Sequence, residues 1–172
     1  MKSIEGLKSI RLEFRKLSIE DISLWSAFFE DPNSLLYIGA KIDSNAREAS
    51  KKWIDKQIGR YDEDGSGLYA FIDRETNLFI GQCGLLPRNI DGQEEIEIAY
   101  HVLSEFRGMG YGSEAAIAVK EFANENKIKD SLISIIHVDN IASQKVAMKN
   151  GMKRGAMTRF IELDVYIYRV HL

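Results

Sequence analysis

Three glycines at every second position are the feature that most constrains this chain, in the segment SEFRGMGYGSEAA from Ser104 to Ala116. Gly108, Gly110 and Gly112 lie between a run that alternates like a β-strand and a run with helical spacing. Glycine costs backbone entropy unless the chain must adopt a positive φ or let another group approach its backbone closely. The segment therefore predicts a strand-to-helix connection with an unusual backbone or with a ligand against it.

Three interpretations of these glycines compete. A plain strand-to-helix turn often needs one glycine, which gives no reason for three. The dinucleotide fingerprint of a nicotinamide oxidoreductase is matched by GYGSEA with Asp139 downstream. However, seven residues separate Val102 from Gly110, and the preceding strand alternates as an antiparallel strand does. We favour the third interpretation, a pyrophosphate cradle of backbone N–H groups at the positive end of a helix that begins near Ser113.

Hydrophobic periodicity predicts the remaining elements. Alternation predicts a first strand over 9–17, and Ser18 with Asp21 forms an S-x-x-D capping box for a helix that runs to Pro32. A second helix begins at Ser44 or Asn45. The other predicted elements are, in chain order, antiparallel strands over 68–74, 78–86 and 94–102, a helix over 113–127, a strand over 131–138, a helix over 140–152 closed by Gly151, and strands over 156–163 and 165–172. The strand, helix, strand order around the glycines indicates one parallel crossover.

Length and composition restrict the class of protein. The 172 residues suit one domain over 1–172, and 45% apolar with 28% charged residues is typical of a globular protein. Neither an apolar run of about 18 residues nor an export signal occurs, so we expect a cytoplasmic protein. A formal net charge of −3 makes neither nucleic acid nor a membrane an expected partner.

Metal chemistry is not expected from this sequence. Cys83 is the only cysteine and lies in a strand-like segment, where a buried small hydrophobe is the simplest interpretation. The three histidines, His101, His137 and His171, are far apart and show no ligand spacing. We therefore predict no metal site.

The segment EIAYHVLSEFRGMGYGSEA resembles the acetyl-CoA motif of the GNAT N-acetyltransferases, R/Q-x-x-G-x-G/A, carried here by Arg107, Gly110 and Gly112. The segments IRLEFRKLSIEDI, FIGQCGL and NIASQKVAMKNGM are similar to the RimJ/RimL-like branch of that family. The resemblance covers nearly the whole chain and implies an α/β (α+β) fold, with a mixed, mainly antiparallel twisted sheet of about seven strands and about four helices. It also implies acetyl-CoA as cosubstrate and a protein N-terminus or a small amine as acceptor. The sequence does not distinguish a monomer from a homodimer.

The resemblance implies a set of cofactor-binding residues. In the family, the strand before the glycine loop splays from its parallel neighbour and offers backbone N–H groups to the thioester and to the pantetheine arm. Asn140 either binds the cofactor arm or caps the following helix. The complete set of expected cofactor-binding residues is Tyr100, His101, Val102, Arg107, Gly108, Met109, Gly110, Tyr111, Gly112, Ser113 and Asn140.

Two residues are predicted to carry catalysis. Glu97 matches the glutamate of the relatives and would accept the amine proton, although a solvated strand glutamate is an equal interpretation. His101 is the alternative base, and strand alternation puts it on the same face as Glu97. Many relatives protonate the thiolate with a tyrosine where this chain has Ala147, so we expect Ser143 to donate a hydrogen bond instead, or else to serve as a first-turn helix serine. A catalytically impaired CoA-binding sensor or interaction module is the alternative function that Ala147 suggests.

Acidic residues cluster in two segments that flank neighbouring strands. They are Asp62, Glu63 and Asp64 in one, and Asp91, Glu94, Glu95 and Glu97 in the other. Such clusters either attract a cationic amine or form solvated turns.

Overall fold

The computed structural model describes residues 1–39 and 45–172. Within these ranges the strands are β1 (Leu12–Arg15), β2 (Gly67–Asp73), β3 (Phe79–Ile90), β4 (Gln93–Val102), β5 (Ser131–His137), β6 (Lys153–Phe160) and β7 (Leu163–His171). The helices are α1 (Ile22–Glu30), α2 (Pro32–Leu35), α3 (Ala46–Glu63), α4 (Tyr111–Glu125) and α5 (Ile141–Lys149), with short 3-10 turns at Ile19–Asp21 and Ser104–Phe106.

The strands form one mixed sheet in the order β1-β2-β3-β4-β5-β7-β6. Neighbours pair antiparallel except β4 and β5, which are parallel and are joined by the α4 crossover. Antiparallel neighbours need only tight turns, as at Asp91 and Gly92 between β3 and β4, where φ is 50° and 84°. The architecture confirms the predicted fold class, and the described part of the chain holds five α-helices where about four were expected.

The N-terminal elements start later than the pattern predicts. The first strand covers only Leu12–Arg15, because the residues before it turn back onto it, and the Phe14 N–H donates to the Leu7 carbonyl at 2.9 Å. The helix predicted from Ser18 begins with a 3-10 turn before α1. The Asp21 carboxylate accepts the backbone N–H of Ser18 at 2.9 Å, as expected for half of the capping box.

The additional helix, α2, begins at Pro32, where the sequence pattern predicted only the end of the first helix. Proline is favourable at a first helical position, and the Asp31 side chain accepts a backbone N–H of α2 at 3.0 Å. Of the two N-caps predicted for α3, Asn45 accepts the Glu48 N–H at 3.0 Å. Ser44 lies outside the described residues.

Apolar side chains cover both faces of the sheet. One core, with Ile98 and Val119, lies between the sheet and α4, and the other, with Trp25 and Ile54, lies between the sheet and the pair α1 and α3. Because β4 is the middle strand and its side chains alternate, it contributes to both layers. None of the helices described combines the length and the apolar character that crossing a bilayer requires.

The C-terminal part supports the far edge of the sheet. Gly151 follows α5 with φ of 79° and donates its N–H to the Met148 carbonyl at 3.0 Å, which confirms the predicted helix end. β6 and β7 form a hairpin that turns at Ile161 and Glu162, and β7 pairs with β5. In the sheet, β5 therefore lies between β7 and β4.

Candidate active site

The glycine segment forms the connection from β4 to α4. Gly108 and Gly110 have φ of 78° and 85°, the left-handed region that side chains rarely adopt. Gly110 is the residue before α4, which begins at Tyr111, two residues earlier than predicted, because the left-handed residue ends the loop there. The first backbone N–H groups of α4 therefore point out of its N-terminus beside the loop.

The third glycine has a different physical reason. Gly112 lies in the first turn of α4 and is buried, and a Cβ built on it would lie 3.2 Å from Cγ2 of Val102. A Cβ on Gly108 would meet nothing within 4 Å, so the space next to this residue is open. Two glycines thus set the backbone of the loop, and the third lets α4 pack closely on β4.

An arginine far away in sequence holds the outer side of this loop. Arg11 donates to the Met109 carbonyl at 3.2 Å and to Glu114 of α4 at 2.7 Å, and its guanidinium lies 4.2 Å from the centre of the Tyr111 ring. Burial alone would raise the pKa of Glu114, but hydrogen bonds from Ser9 and Arg11 outweigh it and lower that pKa. Sequence reasoning missed Arg11 and Glu114, because only the packing of the segment before β1 against α4 brings them together.

Arg107, the arginine of the glycine motif, contacts α2. Its guanidinium donates to Asp31 at 2.7 Å, to Ser34 at 2.6 Å and to the Val102 carbonyl at 3.2 Å. The side chain therefore ties the beginning of the glycine loop to the short helix that borders the same cavity. Arg107 remains one of the lining residues.

The sheet opens between β4 and β5. These parallel strands share a single pair of Cα partners, Glu97 and Ile133, whereas β4 pairs with β3 along its whole length. The two strands separate beyond that pair, toward the glycine loop. This is the splayed arrangement that the sequence resemblance implied.

The hydrogen-bond alternation of β4 decides which amides face the opening. The Leu103 N–H bonds to the Ile80 carbonyl of the β3 side at 3.0 Å. In an antiparallel ladder every second residue bonds to the partner strand, so His101 also bonds toward β3. The amides of Tyr100 and Val102 then point away from β3 into the opening. Of the three backbone positions predicted, two have this orientation.

A cavity of about 460 Å³ lies between the opening, the glycine loop, α2 and α5. It is lined by Phe28, Asn33, Ser34, Tyr37, Ile38, Tyr100, His101, Val102, Phe106, Arg107, Gly108, Gly110, Tyr111, Gly112, Ser113, Asn140, Ala142, Ser143, Lys145, Val146 and Lys149. Ten of the eleven residues predicted to bind the cofactor, and Ser143, are in this set. The exception is Met109, whose side chain is 56% exposed on the outer side of the loop.

The charge of this lining has one sign. Among the described residues, its charged members are Arg107, Lys145 and Lys149, and no aspartate or glutamate lines the cavity. The acidic residues predicted as a possible amine attractant lie elsewhere, and Glu95 is paired with Arg169 at 2.5 Å. The lining suits the negative charge of a phosphate, and it offers no carboxylate to a cationic amine.

Ser143 and Tyr100 bond to each other across the cavity wall. The Tyr100 hydroxyl donates to the Ser143 carbonyl at 2.9 Å, and the Ser143 hydroxyl donates to the Tyr100 oxygen at 3.1 Å. Burial raises the pKa of Tyr100, so its hydroxyl remains protonated. Asn140 caps α5 by accepting the Ser143 N–H at 3.0 Å. Ala147 is only 1% exposed and packs in the core, away from this lining.

Glu97 does not line the cavity. It is 6% exposed, and its Oε2 accepts a hydrogen bond from Nε of Arg88 at 2.6 Å. A direct contact with an amine in the cavity would need a bridging water or a rearrangement of this ion pair. The catalytic role of Glu97 therefore stays a prediction without support from its position.

His101 lines the cavity on the α1 and α3 side. The rings of Trp25, Phe28 and Trp53 surround it at centroid distances of 6.4, 5.4 and 5.3 Å. Burial, with the nearby charges of Arg88 and Arg107, lowers the pKa of His101 to about 4. The imidazole is therefore neutral at physiological pH.

Within residues 1–39 and 45–172, no group of three or more histidine, cysteine, aspartate or glutamate side chains is arranged to hold a metal ion. Cys83 is buried, and burial raises the pKa of its thiol, which leaves it unreactive.

The sequence matches the family model of the GNAT acetyltransferase domain over residues 11–153. It is 28% identical over 171 residues to the uncharacterized protein YkkB of Bacillus subtilis, covering 98% of this chain and 96% of that protein. It is 27% identical over 147 residues to the uncharacterized N-acetyltransferase YnaD of the same organism, covering 84% and 80% of the two chains.

Solved structures share the fold. An acetyltransferase from Agrobacterium tumefaciens superposes with a TM-score of 0.82 at 24% identity, over 100% of this chain and 97% of that chain. RimL, a ribosomal L7/L12 α-N-protein acetyltransferase solved in complex with coenzyme A, superposes with a TM-score of 0.75 at 18% identity, over 95% and 96% of the two chains.

Proposed function

This chain belongs to the GNAT family of acetyltransferases and is an acetyl-CoA-dependent N-acetyltransferase, and we propose that its acceptor is an α-amino group that is partly uncharged at neutral pH. The observation that carries the proposal is the absence of a carboxylate from the described cavity lining. Such a lining gives a protonated amine no ion-pair partner and accepts a neutral amine.

The ionisation of the two common amine classes separates them strongly. An α-amino group has a pKa of about 7.7–8.0, so roughly a tenth of it is neutral at pH 7, whereas for a lysine amine of pKa about 10.4 the neutral fraction is roughly 1 in 2,500. Only a neutral amine has a lone pair to attack a thioester. The likeness in fold to RimL, named an α-N-protein acetyltransferase, supports the same acceptor class.

The cavity lining offers groups for both ends of acetyl-CoA. We assign the pyrophosphate to the amides of Gly108–Ser113 at the start of α4, with Lys145 and Lys149 as additional cations. A Cβ on Gly112 would lie 3.2 Å from Cγ2 of Val102, so the glycine lets the start of α4 pack closely on β4 beside these amides. The Tyr100 and Val102 amides are assigned to the pantetheine arm and to the thioester oxygen. Bound there, acetyl-CoA supplies an acetyl group activated as a thioester.

The groups of this chain are arranged for direct transfer of the acetyl group from the thioester to the amine. The amine nitrogen bonds to the carbonyl carbon while the carbon–sulfur bond breaks, and the electron pair of that bond goes to sulfur. The amides of β4 stabilise the negative charge that develops on the carbonyl oxygen. Ser143, whose hydroxyl donates to Tyr100 in the structure, turns that donor toward the departing sulfur. The proton lost by nitrogen ends on sulfur, whose thiol has a pKa of about 8.5.

Four further features of the protein stay predictions. The general base Glu97 is not required when the amine enters neutral, and its pairing with Arg88 is consistent with a structural role. A cytoplasmic location, a monomeric or homodimeric state, and one domain over residues 1–172 are expected from the sequence alone. Nucleic acid and membranes are not proposed as partners.

The decisive experiment compares acceptors that carry a single free amine, which is either an α-amine or a lysine side-chain amine. Peptide amides with a free α-amine and no lysine, and Nα-acetyl-lysine amide, are assayed for thiol release from acetyl-CoA at pH 7 and pH 9. We expect the α-amines to be acetylated at pH 7 and the lysine amine to react at least 100-fold more slowly there. Preferential acetylation of the lysine amine at pH 7 would refute the proposed acceptor class.

A further inference from the structure

We propose that the imidazole of His101 accepts a hydrogen bond from the attacking amine and aims the nitrogen lone pair at the thioester carbonyl. This inference rests on the proposed function, because it concerns the acceptor in the same cavity. It gives His101 a side-chain role that is separate from a backbone contact with the cofactor and from that of a general base.

The position of His101 on β4 supports this role. Its neighbours Tyr100 and Val102 turn their amides toward the opening beside β5, as the ladder alternation requires. The His101 side chain leaves the same strand on the α1 and α3 side and lines the same cavity. A single stretch of three residues thus presents two backbone amides and an imidazole to the same cavity.

The imidazole has no other polar task among the residues described. Neither ring nitrogen has a hydrogen-bond or ion-pair partner within residues 1–39 and 45–172. The surrounding indole and phenyl rings stand nearly edge-on, at 68°, 78° and 84°, and fix the ring without bonding to its nitrogens. Trp53, the nearest of them, uses its indole N–H for Gln82 at 2.8 Å. The nitrogen acceptor of His101 is therefore free for a ligand.

The environment also keeps this acceptor available. Gln82 lies opposite His101 in the β3–β4 ladder, and the charges that act on the imidazole are those of Arg88 and Arg107. Burial and these cations lower the pKa of His101 to about 4, so one ring nitrogen remains unprotonated throughout the physiological range.

The acetyl transfer needs no protonation of His101. The amine nitrogen gains the acetyl carbon and loses one proton, and the sulfur gains the electron pair of the broken bond and that proton. A thiol of pKa about 8.5 holds a proton far better than an imidazole with a pKa of about 4. His101 consequently orients the amine and is not the final proton acceptor.

Two substitutions separate orientation from packing. His101→Phe keeps an aromatic ring in the cluster and removes the nitrogens, whereas His101→Gln keeps a hydrogen-bond acceptor and removes the ring. We expect His101→Phe to lower kcat with a peptide α-amine by about 10- to 100-fold, with the KM for acetyl-CoA within twofold of wild type. His101→Gln should retain more turnover than His101→Phe. The reverse order, with Phe active and Gln inactive, would identify His101 as a packing residue and overturn the proposal.

A second measurement does not depend on turnover. The imidazole nitrogen resonances of His101 are followed in the CoA-loaded protein while glycinamide or Nα-acetyl-lysine amide is added. A shift of these resonances with the amine that the wild type acetylates supports the role of His101, whichever amine class that is. If only the lysine amine is acetylated, the proposal of an α-amine acceptor is refuted. If neither amine changes the chemical shifts of the His101 nitrogens, the proposal for His101 is refuted.

Discussion

The indole of Trp53 stands at 84° to the imidazole of His101, with the ring centroids 5.3 Å apart. The same indole donates its N–H to Gln82 at 2.8 Å, so the orientation of the larger ring is fixed by a bond to β3. This edge-to-face contact keeps solvent from the imidazole on that side. The effect on the ionisation of His101 can be measured in the stability of the protein.

We expect the stability of the protein to fall on acidification between pH 6.5 and about 4 partly because of His101. The pKa of His101 is lowered from 6.5 to about 4 by burial, so in this window the unfolded chain binds a proton that the folded chain does not. The free energy of unfolding therefore decreases as pH falls, by about 3 kcal/mol for this group over the whole window.

The measurement is urea unfolding of wild type and of His101→Gln from pH 7 to pH 4. Carboxylates contribute equally to both proteins, so the difference in slope isolates the histidine. Parallel curves for the two proteins would show that His101 has an ordinary pKa in the fold.

Gly112 and Val102 form a contact that a double-mutant cycle can test. We expect Gly112→Ala to lower the free energy of unfolding by about 1–3 kcal/mol, because the new Cβ would lie 3.2 Å from Val102 Cγ2. The same substitution in a Val102→Ala background should cost less, since the opposing methyl group is gone. Equal costs in both backgrounds, measured by urea unfolding, would exclude the contact as the reason for this glycine.

Arg11 is expected to support cofactor binding from outside the cavity. Removing its bonds to Met109 and Glu114 in Arg11→Ala frees the outer side of the glycine loop. We expect the Kd for CoA to rise about three- to tenfold, which corresponds to roughly 1 kcal/mol. Calorimetric titration gives the affinity of the folded variant.

The matched control for Arg11 is Lys8→Ala. Lys8 forms a surface pair with Glu13 in which both side chains are about half exposed, so its loss should leave the affinity unchanged. If Arg11→Ala binds CoA as tightly as Lys8→Ala, the outer contact does not organise the loop.

Glu97→Gln distinguishes a structural carboxylate from a general base. Because Glu97 pairs with Arg88 at 2.6 Å and lies outside the cavity lining, we expect turnover to fall less than about tenfold. The acidic limb of kcat/KM should follow the α-amine pKa of the acceptor and stay the same in the variant.

Two peptides with different α-amine pKa values provide the control for Glu97. In both proteins, the pKa of the acidic limb of kcat/KM should follow the α-amine pKa of the peptide. A loss of 10²- to 10⁴-fold with disappearance of the limb in Glu97→Gln alone would instead establish Glu97 as the base.

Much of the fold is predictable from this sequence because its signals are local. Alternating apolar residues gave the three-strand meander, and helical spacing after the glycines gave the crossover. The start of α4 was misplaced by two residues, since a left-handed backbone at Gly110 is not visible in a hydrophobic pattern. The pattern predicts a helix end at Pro32, but proline is also favourable at the first position of a helix, and α2 begins there.

The site is only partly predictable, because side chains from distant elements complete it. Ten of the eleven residues predicted around the glycine motif and at Asn140 line the cavity. The partner of Glu97 depends on the register of β3 against β4, and Arg11 acts on a loop almost a hundred residues away. Strand alternation did place Glu97 and His101 on one face, but it does not tell which of them reaches the cavity.

The single point of pairing between β4 and β5 leaves the sheet weakly joined at its centre, where we expect acetyl-CoA to bind. The strands on one side of this seam, β1 to β4, and those on the other, β5, β7 and β6, share little direct backbone bonding. Acetyl-CoA bound at this opening binds the folded state and not the unfolded chain, so its binding free energy adds to the stability of the folded state. We therefore expect acetyl-CoA to slow proteolysis of the protein, increasingly so as its concentration rises.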